Sequence, residues 1–184
     1  MEKWIKTYPK IFSKQECAGI VEYFNIQEYN KNLTHTNLKD HRHFDEINLN
    51  DFRDDTLDTQ MGIYERFKYV LQKYKEETGL HERAWPENFK FEEIRIKRYR
   101  MGRGNFLDHV DVGSYDSAMR FLVLFVYLND VEEGGETEFP ELDLTVTPKC
   151  GTMLLFPSTW TYLHRGNTPI SNDKYILGSY LHYV

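Results

Sequence analysis

The sequence predicts an α+β fold that is mainly β, a β-sandwich or barrel backed by N-terminal helices. Two observations carry this. Apolar residues recur at helical spacing in the first part of the chain, and from Phe89 onward the period changes to two, with short strands set between turn residues. The 184 residues, 40% of them hydrophobic and 15% aromatic, suffice for one domain with a sizeable core. No repeat, low-complexity segment or linker divides them, so residues 1–184 read as a single domain, with helical support mainly in 1–80 and a β core mainly in 89–184.

The first helix announces itself at Ser13-Lys14-Gln15-Glu16, which has capping-box spacing, and continues through an apolar stripe of Cys17, Ile20, Val21 and Phe24. A polar stretch from Gln27 to Asp55 follows, read as a loop with a short strand near Phe44, Ile47 and Leu49. A second helix is expected over Asp55–Thr78, burying Leu57, Met61, Tyr64, Phe67, Leu71 and Tyr74 and stopping at Gly79. Phe89 and Phe91, then Ile94 and Ile96, alternate with charges, and the parity shift between the pairs marks a bulge or a strand junction. Further strands are expected over about 106–111, 121–128, 137–139, 142–146, 152–156, 162–164 and 175–182. Asn129-Asp130, Gly134-Gly135, Pro140, Pro148, Gly151, Pro157 and Gly166-Asn167 punctuate them.

Twenty-three Lys and Arg against 29 Asp and Glu give a net charge of −6, which argues against bulk attraction to nucleic acid or to anionic membranes. The longest apolar run, Phe121 to Leu128, has a buried strand's length and is far too short to span a bilayer. Two cysteines, Cys17 and Cys150, are too few for a disulfide framework, and with no secretory start a reducing cytoplasm is the expected setting.

His109-Val110-Asp111, answered by His164 and then by Lys174, carries the chemistry. Residues two apart on a strand share a face, so His109 and Asp111 can meet one metal. Two imidazoles and a carboxylate can cap one face of an octahedral iron(II) and leave the other face open. Lys174 could then hold the far carboxylate of a dicarboxylic co-substrate. The plainer readings stand beside these. An isolated His-x-Asp is usually a surface pair, Lys174 alone would be a solvated charge, and Tyr99 and Tyr127 could be ordinary core tyrosines. The run Arg95, Lys97, Arg98, Arg100, Arg103 reads as a solvated strand edge, with the alternative that it flanks the active-site mouth beside Tyr99, and His41-x-His43 as at most a weak second metal pair.

Longer motifs surround these residues. Arg120 to Asn129 runs into Gly134-Gly135-Glu136-Thr137-Glu138-Phe139-Pro140. Pro148-Lys149-Cys150-Gly151 precedes Leu154-Leu155-Phe156-Pro157, and His164-Arg165-Gly166-Asn167-Thr168-Pro169 leads to Lys174-Tyr175. Over about Ile94 to Tyr180 this resembles the iron(II)- and 2-oxoglutarate-dependent prolyl 4-hydroxylase family, with a weaker echo at Tyr8 to Cys17. The resemblance implies a double-stranded β-helix core, jelly-roll and cupin-like, backed by the N-terminal helices. It implies iron(II) held by His109, Asp111 and His164, and 2-oxoglutarate held by Lys174 and Tyr99, with Tyr127 and Thr137 lining its pocket. Arg120 would lie near the substrate backbone and Tyr180 would flank the active site, in a place the family usually gives to Trp. Val123 and Gly178 depart from the family, which often has threonine and a small hydroxyl residue there.

The activity implied is hydroxylation of peptidyl proline with oxygen, coupled to conversion of 2-oxoglutarate to succinate and carbon dioxide, with ascorbate as a possible reductant. The carboxylate of Asp111 favours hydroxylation over halogenation, since related halogenases lack it to admit halide. The implied partner is a proline-containing peptide or protein. Two alternatives remain at this level. One is an oxygenase acting on another side chain, a small molecule or a nucleobase; the other is a non-catalytic metal-binding β-barrel used for sensing or binding. The oligomeric state is not fixed by the sequence.

Overall fold

The computed structural model describes residues 1–38 and 41–184. Lys39 and Asp40, inside the expected polar stretch, lie outside the described residues. The strands are β1 (Lys6–Tyr8), β2 (Thr34–Leu38), β3 (Arg42–Asn48), β4 (Phe89–Phe91), β5 (Arg95–Tyr99), β6 (Asn105–His109), β7 (Arg120–Tyr127), β8 (Thr137–Phe139), β9 (Leu144–Val146), β10 (Met153–Pro157), β11 (His164–Gly166) and β12 (Lys174–Tyr183). The long helices are α1 (Lys14–Tyr29) and α2 (Arg53–Thr78).

The strands form one antiparallel sheet that curls into two layers, the jelly-roll arrangement expected. The larger layer runs β1-β10-β7-β12-β5-β3 and the smaller β6-β11-β8-β9. Strand β3 is the joint: Asp45 to Asn48 pair with β5, while Arg42 and His43 pair with β6. Both faces of the larger layer are covered, which is why β7 reads as an unbroken apolar run. Leu122, Leu124 and Val126 pack outward under α1 and α2, with Phe24, Phe67 and Leu71. Val123 and Tyr127 face inward, and with Phe139, Leu154 and Phe156 they fill a second core between the layers. Each such fully buried Leu or Phe is worth about 2 kcal/mol.

Helix α1 begins with the expected capping box: Ser13 Oγ accepts from the Glu16 amide, and the Glu16 carboxylate accepts from the Ser13 amide. Helix α2 ends where expected, at Gly79, whose φ of 60° is the left-handed conformation glycine adopts without strain. Its buried face is not wholly the expected one. Phe67, Leu71 and Tyr74 are buried, but Leu57 and Met61 are 43% and 56% exposed. Thr56 and Gln60 are buried instead, because both donate to the Leu49 carbonyl at the turn entering the helix.

The polar stretch was read as a loop with one short strand; it holds the β2–β3 hairpin, and β3 is central to the sheet. Nor is the basic run a solvated edge. Arg98 is buried, bonded to Asp45 and to both carboxylate oxygens of Glu28, while Arg100 reaches the same two acids. The parity shift near residue 93 proves to be a strand junction: β4 and β5 both pair with β12, in separate registers.

Candidate active site

The register of the sheet assembles the site. His164 on β11 lies directly opposite His109 on β6. Lys174 on β12 lies opposite Tyr99 on β5, and Gly166 opposite Thr137 on β8. The period-two alternation of β12 turns Lys174, Ile176 and Tyr180 toward the space between the layers, while Leu177 and Leu181 enter the core under the helices. Asp111 falls just beyond the end of β6, where the chain turns away.

The side-chain donor atoms of His109, Asp111 and His164 all lie within 4.8 Å of one another, the one such metal-capable group among the described residues. His41 and His43 form no part of one. The Nδ1 of His109 sits 2.7 Å from the Leu107 carbonyl, and that of His164 sits 3.0 Å from the Tyr162 carbonyl. A carbonyl only accepts, so each Nδ1 carries the proton and each Nε2 presents a lone pair. His164 Nε2 faces Asp111 Oδ2 at 3.4 Å, and that buried oxygen has no hydrogen-bond partner among the described residues. The other oxygen, Oδ1, accepts from the Tyr180 hydroxyl at 2.8 Å. Lone pairs aimed at one another with no proton between them are unfavourable unless a cation lies among them. A nitrogen–nitrogen–oxygen set of this kind suits iron(II), with the backbone carbonyls and Tyr180 as the outer groups that orient the donors.

Burial, followed by the nearby His164, pushes the His109 imidazole down to about 3, which keeps it neutral. Phe106 stacks on its ring at a centroid distance of 3.3 Å.

Deeper between the layers, Lys174 is buried and donates to the Gly135 carbonyl at 2.8 Å, with its ammonium 4.5 Å from the Tyr99 ring centroid. Burial pushes it down to about 7, against the pull of Glu136. One neutral carbonyl does not compensate a buried ammonium, so the charged form of Lys174 calls for an anionic partner beside it. The Gly134-Gly135 turn makes this possible. At Gly134, φ is 74° and a Cβ would lie 2.4 Å from the Thr168 oxygen, so only glycine lets the turn approach so closely. Lys174, Tyr99, Thr137, His109, Asp111 and His164 border one small cavity. Tyr127 stands behind it and donates to Thr137 Oγ1 at 2.7 Å.

Outside the metal-capable group lies a groove of about 510 Å³. Arg120 and Tyr180 are in its wall, with the guanidinium 4.0 Å from the Tyr180 ring centroid. Arg120 is fixed by a fork to Glu92, at 2.6 and 2.8 Å. Lys97 borders both groove and cavity and Arg95 borders the groove, as the alternative reading of the basic run beside Tyr99 expects. Not expected from the sequence are Glu92, which anchors Arg120, and the wall residues Arg42, Phe44 and Glu46 of β3. The period-two spacing of Arg95, Lys97 and Tyr99 was the available signal for Lys97, since it shares a strand face with Tyr99.

Residues 94–182 match the model of the 2OG-Fe(II) oxygenase superfamily. That match lies over the β core and takes in a little under half of the chain. The chain is 31% identical over 107 residues to the prolyl 4-hydroxylase subunit alpha-1 of Gallus gallus, a match covering 50% of this chain and 20% of that protein. It therefore spans about a fifth of that relative's length. In structure it is similar to the viral collagen prolyl hydroxylase of Paramecium Bursaria Chlorella virus-1, solved as a 2OG complex. The TM-score is 0.76 at 22% identity, covering 98% of this chain and 97% of that one. A prolyl hydroxylase from Trichoplax adhaerens, solved with a hypoxia inducible factor peptide fragment, gives 0.73 at 11% identity, covering 98% and 84%. At those identities the likeness speaks for the fold. No helix among the described residues is long and apolar enough to cross a membrane.

Proposed function

We propose that this protein is an iron(II)- and 2-oxoglutarate-dependent oxygenase that hydroxylates proline in a peptide or protein. The observation that carries the reading is the pairing of two unsatisfied features on one wall. Three unprotonated donors converge at His109, Asp111 and His164, and a buried ammonium without an anion stands at Lys174 in the same cavity. Bound iron(II) with 2-oxoglutarate supplies oxidation by oxygen, coupled to loss of carbon dioxide and formation of succinate. In this reading His109, Asp111 and His164 hold the metal, and Lys174 with the Tyr99 hydroxyl holds the far carboxylate of 2-oxoglutarate. Thr137, braced by Tyr127, closes the side of the pocket. Tyr180 keeps Asp111 turned so that Oδ2 points at the metal. Arg120, anchored by Glu92, faces the backbone of the incoming peptide. The residues of α1 and α2 support the larger layer from behind, so the whole of 1–184 works as one domain.

The likeness of the core to prolyl hydroxylases supports proline as the target. The test is incubation with iron(II), 2-oxoglutarate, oxygen, ascorbate and proline-containing peptides. Gain of one oxygen on proline together with succinate is expected. Succinate without a hydroxylated peptide would overturn proline as the target, and no succinate at all would overturn the oxygenase reading.

A further inference from the structure

The groove outside the metal-capable group gathers cations on a chain of net negative charge. The chain as a whole carries −6. The groove wall presents four cations, Arg42, Arg95, Lys97 and Arg120, against the carboxylates of Glu46, Asp111 and Asp116. Asp111 belongs with the metal group. Arg120 and Arg95 are held from outside the wall by Glu92 and Glu93, at 2.6 and 3.1 Å. Two carboxylates remain in the wall: Asp116, which pairs with no cation within 4.0 Å among the described residues, and Glu46, shared between Arg95 at 3.9 Å and Lys97 at 3.4 Å. Both distances exceed the roughly 2.8 Å of a good charge-assisted hydrogen bond. The Lys97 ammonium rests 4.6 Å from the Phe44 ring centroid, at the place where the groove opens into the inner cavity. Arg42 is one ring removed from the site: its guanidinium lies 5.1 Å from Phe106, the ring stacked on His109.

Resting on the oxygenase reading above, we infer that the groove selects a peptide with an acidic side chain close to the residue to be hydroxylated, and that Lys97, with Arg42 in the same groove wall, reads that carboxylate. A carboxylate entering between them would supply the acceptor that Glu46 provides only at long range. A basic side chain in the same place would meet Lys97 and Arg42 directly and be repelled. Lys97 is thus a specificity-determining residue, set apart from Lys174, which faces the co-substrate.

The test uses acetylated, amidated peptides that differ at one position near the proline, bearing Glu, Gln or Lys. Binding is measured first, by fluorescence anisotropy of the labelled peptides, anaerobically with iron(II) and 2-oxoglutarate present. The Glu peptide is expected to bind about tenfold tighter than the Gln peptide, with the Lys peptide weakest and the preference shrinking as salt is raised. Lys97→Met is expected to bring the Glu and Gln peptides level. Equal binding of Glu and Gln peptides to the unaltered protein, or preference for Lys, overturns the inference. An undiminished preference in a folded Lys97→Met protein overturns the role of Lys97. Turnover of the same peptides reports separately on the proline reading: acid-selective binding with no oxygen gained would sink that reading and leave the charge preference standing.

Discussion

The Tyr180 hydroxyl donates a 2.8 Å hydrogen bond to Asp111 Oδ1 and leaves Oδ2 of the same carboxylate free to face His164. A carboxylate on a short side chain can rotate, so one fixed oxygen determines where the other points. Tyr180→Phe is therefore expected to keep the fold and weaken divalent metal binding about 10- to 100-fold. Titration with iron(II) or manganese(II) measures it. An unchanged dissociation constant would show that packing alone orients Asp111.

If Lys174 holds the co-substrate as proposed, its burial ties that binding to pH. Burial brings its folded-state pKa from 10.5 to about 7, so the folded protein favours the neutral amine more than the unfolded chain does. Its contribution to stability is full above the unfolded value and is lost as pH falls through about 7. Lys174→Met is then expected to raise the melting temperature of the ligand-free protein at pH 7, by roughly 5 °C, while abolishing detectable 2-oxoglutarate binding. In the proposed role, a dicarboxylate bound at Lys174 in the unaltered protein requires the ammonium form. Affinity for 2-oxoglutarate should fall about tenfold per pH unit above 7, with a proton taken up on binding that calorimetry in different buffers detects.

His109 carries the same linkage at lower pH. Held down to about 3, it stays neutral in the folded metal-free protein while the unfolded chain protonates near 6.5. Its contribution is present above 6.5 and lost as pH falls toward 3. His109→Gln should flatten the acid side of the stability profile. The difference from the parent should grow by roughly 3–5 °C per pH unit below 6.5, read by thermal melts in chelator. Parallel profiles for the two proteins would contradict this.

How much of this was legible in the sequence depended on whether a residue's partner is local. His109, Asp111, His164 and Lys174 could be picked out because their residue types are informative, and the register then set His164 against His109 and Lys174 against Tyr99. The capping box of α1 and the Gly79 stop of α2 are local chemistry and appear as expected. Of the β2–β3 hairpin, β3 is the short strand expected near Phe44 and Ile47, but β2 has no apolar alternation to announce it. The buried positions of β3 include Asp45, whose partner Arg98 is 53 residues away. A buried charge pair looks like two surface charges until both ends are placed. The displaced face of α2 has the same cause, since Thr56 and Gln60 are drawn inward by a backbone carbonyl that periodicity does not report. The nearness of Lys97 to Tyr99 makes the basic run a candidate flank of the active-site mouth, whereas the burial of Arg98 within it depends on Glu28 and Asp45, which are distant in sequence.

That buried ion cluster makes its own prediction. Burial works to raise the Asp45 carboxyl, but His35, Arg98 and Arg100 outweigh it and hold it at about 2. Arg98 is 4% exposed and binds both Asp45 and Glu28, so it ties the end of α1 to β3 where β3 pairs with β5. Arg98→Met removes the cation and leaves Asp45 dependent on Arg100 and His35, at an expected cost of roughly 3 kcal/mol by denaturant unfolding at pH 7. The loss should be smaller in acid, because Asp45 keeps its advantage only above the unfolded value of 3.8 and surrenders it as pH falls through about 2. Because β3 also carries Arg42, Phe44 and Glu46 into the groove wall, the variant should weaken peptide binding more than 2-oxoglutarate binding. Equal losses for both ligands would mean that the cluster supports the whole sheet and not the groove wall in particular.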